Sequence, residues 1–157
     1  MTDIQTEGAD LIIERTFAAP PELVWRAFTE PEHITRWWGP AESSTTVLEM
    51  DVREGGRWRF INRSADGEQT PFKGEYLKIV APEQLVQTFV LDVPGFDDQA
   101  VLEMTTFTAT DDGTRVVTRS RFPSDATLAG AVNSGMARGA TESYERLDVL
   151  LSEMAVR

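Results

Sequence analysis

The sequence predicts an α+β domain in which one long C-terminal helix covers a curved seven-stranded antiparallel sheet, with two short helices after the first strand. Three observations predict it. Residues 45–122 hold six strand-like runs separated by short turns rich in Gly, Pro and Asp, as in an antiparallel meander. After Phe122-Pro123 the apolar spacing changes from two to three and four. A separate strand-like run, residues 11–17, precedes two segments that each start at a proline.

Residues 1–10 are polar and without period, and read as a loose tail ahead of a single domain over 11–157. Residues 11–17 (LIIERTF) are β-branched and aromatic and form the first strand. Pro20-Pro21 ends it and opens a short helix to Thr29 with Val24, Ala27 and Phe28 on its apolar side. Pro31 starts a second helix to Trp38, with Ile34, Trp37 and Trp38 as its apolar face, and Gly39-Pro40 stops it. Strands follow at 45–52, 57–63, 71–80, 85–91, 100–110 and 114–122. Glu54-Gly55-Gly56, Ala65-Asp66-Gly67, Pro94-Gly95 and Asp111-Asp112-Gly113 are among the turns, where Gly supplies positive φ and Pro presets φ.

In the last third, Met136, Ala140, Tyr144, Leu147, Leu151 and Met154 form one helical stripe. Ser124 or Asp125 is the expected cap of a shorter preceding turn, and Asn133 or Ser134 the cap of the long helix. Gly135 and Gly139 fit either fraying of the helix start or close approach of backbone that leaves room for a ligand. A sheet curved around one helix need not fill its interior, so the architecture invites a cavity.

Composition removes several chemistries. The 157 residues contain no Cys, which excludes disulfides, thiolate nucleophiles and Cys-ligated metals. His33 is the only histidine, so a multi-histidine metal site within one chain is excluded, and its place early in a short helix suits an exposed or capping role. No zinc, calcium or phosphate-loop spacing is present, and no cofactor is expected. Fifteen Lys and Arg against 26 Asp and Glu give a net charge of −11, which disfavours nucleic acid and anionic membrane surfaces as partners. The N-terminus lacks the basic and apolar regions of a signal peptide, and no apolar run approaches the ~20 residues of a membrane span, so a cytoplasmic protein is expected.

The order of several motifs resembles one family. Glu14-Arg15-Thr16-Phe17-Ala18-Ala19-Pro20, Val24-Trp25-Arg26-Ala27-Phe28 and Arg36-Trp37-Trp38-Gly39-Pro40 come first. Asp51-Val52-Arg53-Glu54-Gly55-Gly56-Arg57-Trp58, Gly74-Glu75-Tyr76-Leu77 and Pro82-Glu83-Gln84-Leu85-Val86 follow, and Glu142-Ser143-Tyr144-Glu145-Arg146-Leu147 lies in the last helix. Together they resemble the activator of heat-shock-protein ATPase homologue family, within the START-like, birch-pollen-allergen-like (SRPBCC) superfamily. The resemblance implies the helix-grip fold, in agreement with the element order. Its relatives include lipid carriers, hormone receptors, polyketide cyclases and co-chaperone domains, so fold alone does not assign activity. The eukaryotic co-chaperone carries a separate N-terminal domain for which 157 residues leave no room, so chaperone contact is not expected.

Candidate site residues are those able to line the cavity. Strand alternation puts Trp58 and Phe60 inward and Arg57 and Arg59 outward. In the next strand Phe72, Gly74 and Tyr76 share one face and Glu75, Leu77 and Ile79 the other. Both faces carry apolar groups, so either orientation is open, and the Leu77–Ile79 pair favours Glu75 inward. Glu75 is thus a candidate for pocket lining and for general acid–base catalysis, and Tyr76 a second candidate. Trp38 is assigned to the cavity mouth. Met136, Ala140 and Tyr144 are assigned to the cavity wall, where Met adapts to varied apolar ligands and Tyr adds a polar handle. Arg115, Arg119 and Arg121 read as an outer sheet face paired with acidic neighbours. The expected function is binding of a small hydrophobic or amphipathic molecule. The alternatives are a polyketide cyclase-like enzyme using Glu75, Tyr76 or Tyr144, and a chaperone-associated interaction module. A homodimer through an exposed edge strand is compatible with the pattern.

Overall fold

The computed structural model describes residues 2–155. In chain order the elements are β1 (Asp3–Glu7), β2 (Asp10–Phe17), α1 (Pro21–Thr29), α2 (Pro31–Trp37), β3 (Ser44–Met50), β4 (Arg57–Arg63), β5 (Gln69–Val80), β6 (Gln84–Leu91), β7 (Val101–Thr110), β8 (Gly113–Arg121), α3 (Asp125–Asn133) and α4 (Met136–Ala155). A single 3-10 turn, Asp97–Gln99, interrupts the loop between β6 and β7. The sheet is fully antiparallel in the order β1-β2-β8-β7-β6-β5-β4-β3. The first helices therefore carry the chain from β2, near one edge, to β3 at the other.

The strand count is eight among the described residues, not seven. The extra strand is β1, in the stretch whose polarity suggested a loose tail. It pairs with β2 over Asp3↔Glu14 to Glu7↔Asp10. Only Ile4 of its five residues is partly buried. An edge strand needs little apolar surface, because one side has no partner and backbone pairing carries the other.

Alternation defines the inner face. In β4, Trp58, Phe60 and Asn62 are buried and Arg57, Arg59 and Arg63 exposed. In β8, Thr114, Val116, Thr118 and Ser120 point in while Arg115, Arg119 and Arg121 point out. Those arginines meet carboxylates on the outer face. Arg115 binds Glu14, and Arg119 and Arg121 both bind Asp10. Arg121 and then Arg119 hold the Asp10 carboxyl down at about 2 through hydrogen bonds.

Helix α4 lies across the inner face with Tyr144, Leu147, Leu150, Leu151 and Met154 buried. Phe17 meets Tyr144 edge to face at 5.3 Å, and Trp37 donates its indole N–H to the Ala27 carbonyl at 2.8 Å. Of the two helix-start readings in the last third, Ser124 as a cap holds and the Asn133 or Ser134 cap of the long helix does not. The Ser124 hydroxyl caps α3 through the Thr127 N–H, and α3 runs on to Asn133. Ser134 and Gly135 form the joint between α3 and α4, with Gly135 at φ +95°. No helix among the described residues is long and apolar enough to cross a membrane.

Candidate functional site

Inner-face side chains do not fill the space under α4. A cavity of about 520 Å³ remains between the sheet, α2 and the first turns of α4. Of its lining residues only Pro40 and Ser134 are exposed, which places the mouth between the loop after α2 and the α3–α4 joint.

The wall toward β3 is aromatic. Trp38 packs against Phe60 at 5.2 Å and Phe72 at 5.3 Å between ring centroids, and Phe72 stacks on Phe89 at 5.0 Å. Trp37 turns into the core while Trp38 is half-buried in this cluster. The rim is tied to α4. The Ser143 hydroxyl donates to the Gly39 carbonyl at 2.8 Å and accepts from the Gly39 N–H at 2.9 Å. Gly39 has φ +113°, and a Cβ there would overlap the Asn62 amide. At Gly139 a Cβ would meet only Pro40, at an ordinary contact distance of 3.7 Å, so packing does not demand a glycine there.

The opposite wall is polar and comes from consecutive strands. Tyr76 pairs with Gln87, Gln87 with Glu103, Glu103 with Ser120, and Ser120 with Leu11. All five line the cavity, forming one row across β5, β6, β7, β8 and β2. Behind it, Thr105 and Thr118 share a hydrogen bond of 3.1 Å, and Thr118 meets the Tyr144 hydroxyl at 3.3 Å. The Gln87 amide donates to Glu103 at 3.4 Å. Burial pushes the Glu103 carboxyl up to about 7, against the smaller opposing effects of Gln87 and Ser120. It retains partial solvent access, consistent with its position on the cavity wall. Burial also pushes the Tyr144 phenol up to about 12 and raises that of Tyr76, so both are neutral hydrogen-bond donors at pH 7.

Six of the eight residues assigned from sequence line the cavity: Trp38, Phe60, Tyr76, Met136, Ala140 and Tyr144. Trp58 is too deep; it is fully buried behind the aromatic cluster and packs over Gly74. Glu75 is a correction. It is exposed on the outer face, and Tyr76 takes the inward position. The reason is a register shift between Tyr76 and Lys78. The shift changes the alternation phase, so Tyr76 and Ile79 both reach the core although three residues apart, and Leu77 is left exposed. His33 makes a 3.1 Å contact with Glu30 one helical turn away, outside the cavity.

The residue that sequence reasoning missed is Glu103. Its signal was present, because Val101 and Phe107 are strongly apolar and share its strand phase.

A family model for Activator of Hsp90 ATPase homolog 1-like protein matches residues 18–152. Among solved structures, protein Ms6760 from Mycobacterium smegmatis is 27% identical, with a TM-score of 0.88 and 96% of each chain covered. Protein CV1439 from Chromobacterium violaceum is 25% identical, with a TM-score of 0.80, covering 91% of this chain and 96% of the other. A protein from Arthrobacter aurescens has a TM-score of 0.89 at 22% identity over 96% and 91% of the two chains, a likeness of fold alone. No curated protein matches the sequence. The match over most of its length, together with a sheet gripping a C-terminal helix, means that the chain belongs to the Activator of Hsp90 ATPase homolog 1-like family.

Proposed function

We propose that this protein binds one small, largely apolar or amphipathic molecule between its sheet and α4. The observation that carries the reading is the two-sided cavity of about 520 Å³, aromatic toward β3 and polar along the Tyr76–Gln87–Glu103–Ser120 row. Such a volume with a few placed polar groups is the usual form of a small-molecule site. Trp38, Phe60, Phe72 and Phe89 supply apolar contact, Met136 and Ala140 shape the mouth end, and Tyr144 and Glu103 orient a polar group.

Native mass spectrometry on freshly purified protein, before and after denaturation, tests this reading. An adduct released on denaturation and absent from the Ala140→Trp variant supports it. Equal adduct retention by wild type and Ala140→Trp places the ligand elsewhere and contradicts it.

A second reading, proton-transfer catalysis of the polyketide cyclase kind, gains one specific observation. Glu103 is a cavity carboxyl brought near neutrality by burial, as a general acid or base requires. Under that reading Glu103 takes the role considered for Glu75, with Tyr144 as hydrogen-bond donor. Chaperone association draws support from the family description alone.

A further inference from the structure

We infer that the ligand class is an amphipathic amine, its ammonium group seated against the Glu103 carboxylate and its apolar body among Trp38, Phe60, Phe72 and Phe89. The inference rests on the cavity-binding reading above and names the head group that reading leaves open.

Two features point to a cation, and the aromatic wall to the apolar body it carries. First, Glu103 is the only charged residue lining the cavity among the described residues; no Lys, Arg or His lines it. Nearby cations are engaged elsewhere. Arg115, Arg119 and Arg121 pair with carboxylates on the outer face. Arg15, on the inner face, binds Asp148 and Thr2 through its terminal nitrogens, while its buried Nε–H has no partner; Arg146, at the rim, donates to the Gly39 and Pro40 carbonyls. Second, the groups around Glu103 are neutral: Gln87 from β6, Ser120 from β8 and Tyr144 from α4, with only apolar side chains offered to the cavity by α1 and α2. An enclosed carboxylate without a cation is costly, and a bound ammonium group removes that cost. The opposite wall is an aromatic cluster, which suits the apolar body of such a ligand. A ligand carboxylate would instead meet Glu103 as a like charge.

The groups on the wall also fix the pH dependence. The tyrosines titrate far above neutrality, and an alkylamine stays protonated below its own pKa of about 10. Between acid and neutral pH the cavity wall therefore changes charge at Glu103, from neutral below about 7 to anionic above. Amine affinity rises with pH through that window, and amine binding there releases a proton.

Calorimetric titration with octylamine, 1-octanol and octanoate tests the inference on matched chains. At about pH 8, octylamine should bind at least about tenfold more tightly than 1-octanol, with octanoate weakest. The amine advantage should shrink at about pH 5.5. Glu103→Gln should lose the amine preference and bind octylamine no more tightly than 1-octanol. The pH comparison in wild type gives the same readout without relying on the variant's fold. Octanoate binding as tightly as octylamine, or an amine advantage that survives in Glu103→Gln, would overturn the inference and leave cavity binding standing. No binding of any of the three chains would overturn the cavity-binding reading itself.

Discussion

Ser143 on α4 and Gly39 after α2 are joined by two reciprocal hydrogen bonds through a single hydroxyl, at 2.8 and 2.9 Å. Both residues are buried, so neither Gly39 group has ready access to water. This junction holds the mouth-forming loop against the helix that roofs the cavity. Ser143→Ala leaves the Gly39 N–H without that acceptor, while the carbonyl keeps Arg146 at 3.1 Å. The expected loss is about 1–3 kcal/mol by urea denaturation. A change within error would show that the junction is not a stabilising contact.

Glu103 imposes a pH dependence of the opposite sign to an ordinary ion-paired carboxylate. Its folded-state pKa, about 7, lies above the unfolded value of about 4.3. The folded state therefore holds more protons than the unfolded state between those values, and stability falls as pH rises through that window. Glu103→Gln removes this fall. The variant should be more stable than wild type at pH 8 by about 2 kcal/mol, a figure reduced from the full shift because the carboxyl retains water access. Parallel stability curves for the two proteins from pH 4 to pH 8 would contradict the burial of this carboxyl.

Asp10 acts in the ordinary direction. Arg121 and Arg119 depress its pKa to about 2, so its contribution is present above about pH 4 and is lost as pH falls toward 2. Asp10→Asn should be less stable than wild type at neutral pH, with a flatter stability curve across pH 4 to 2. Urea midpoints measured along that range check it. An unchanged slope would mean that the pair of arginines contributes nothing to the fold.

Glu75 faces solvent, so Glu75→Gln should leave ligand affinity within about twofold and stability within about 0.5 kcal/mol of wild type. Fluorescence titration and thermal melting check both. A loss of binding comparable with that of Glu103→Gln would reverse the placement of β5.

The contrast between these two glutamates explains how much of the site was legible. β4 has arginines on one phase and Trp58 and Phe60 on the other, so its orientation follows from alternation. The same logic applies to β7, where Val101 and Phe107 carry Glu103 inward. β5 was ambiguous because a register shift breaks its phase after Tyr76, and a shift leaves no mark in residue type. β1 was missed for a different reason: polarity distinguishes a tail from an edge strand poorly when only Ile4 needs burial. The α-helical stripe Tyr144, Leu147, Leu151 and Met154 was legible because four buried positions repeat at three and four. The depth of Trp58 depends on Gly74 leaving room beneath its indole, a cross-strand relationship that no local pattern encodes.

The central claim is that a ligand enters the space between the sheet and α4. Its most direct test is an amide-resolved nuclear magnetic resonance titration of labelled protein with octylamine at about pH 8. The account predicts saturable shifts concentrated at Gln87, Glu103, Ser120 and Ala140, with Leu48, Leu77 and Val149 unmoved on the exposed surface. Shifts confined to those exposed apolar residues, or growing without saturation, would contradict it.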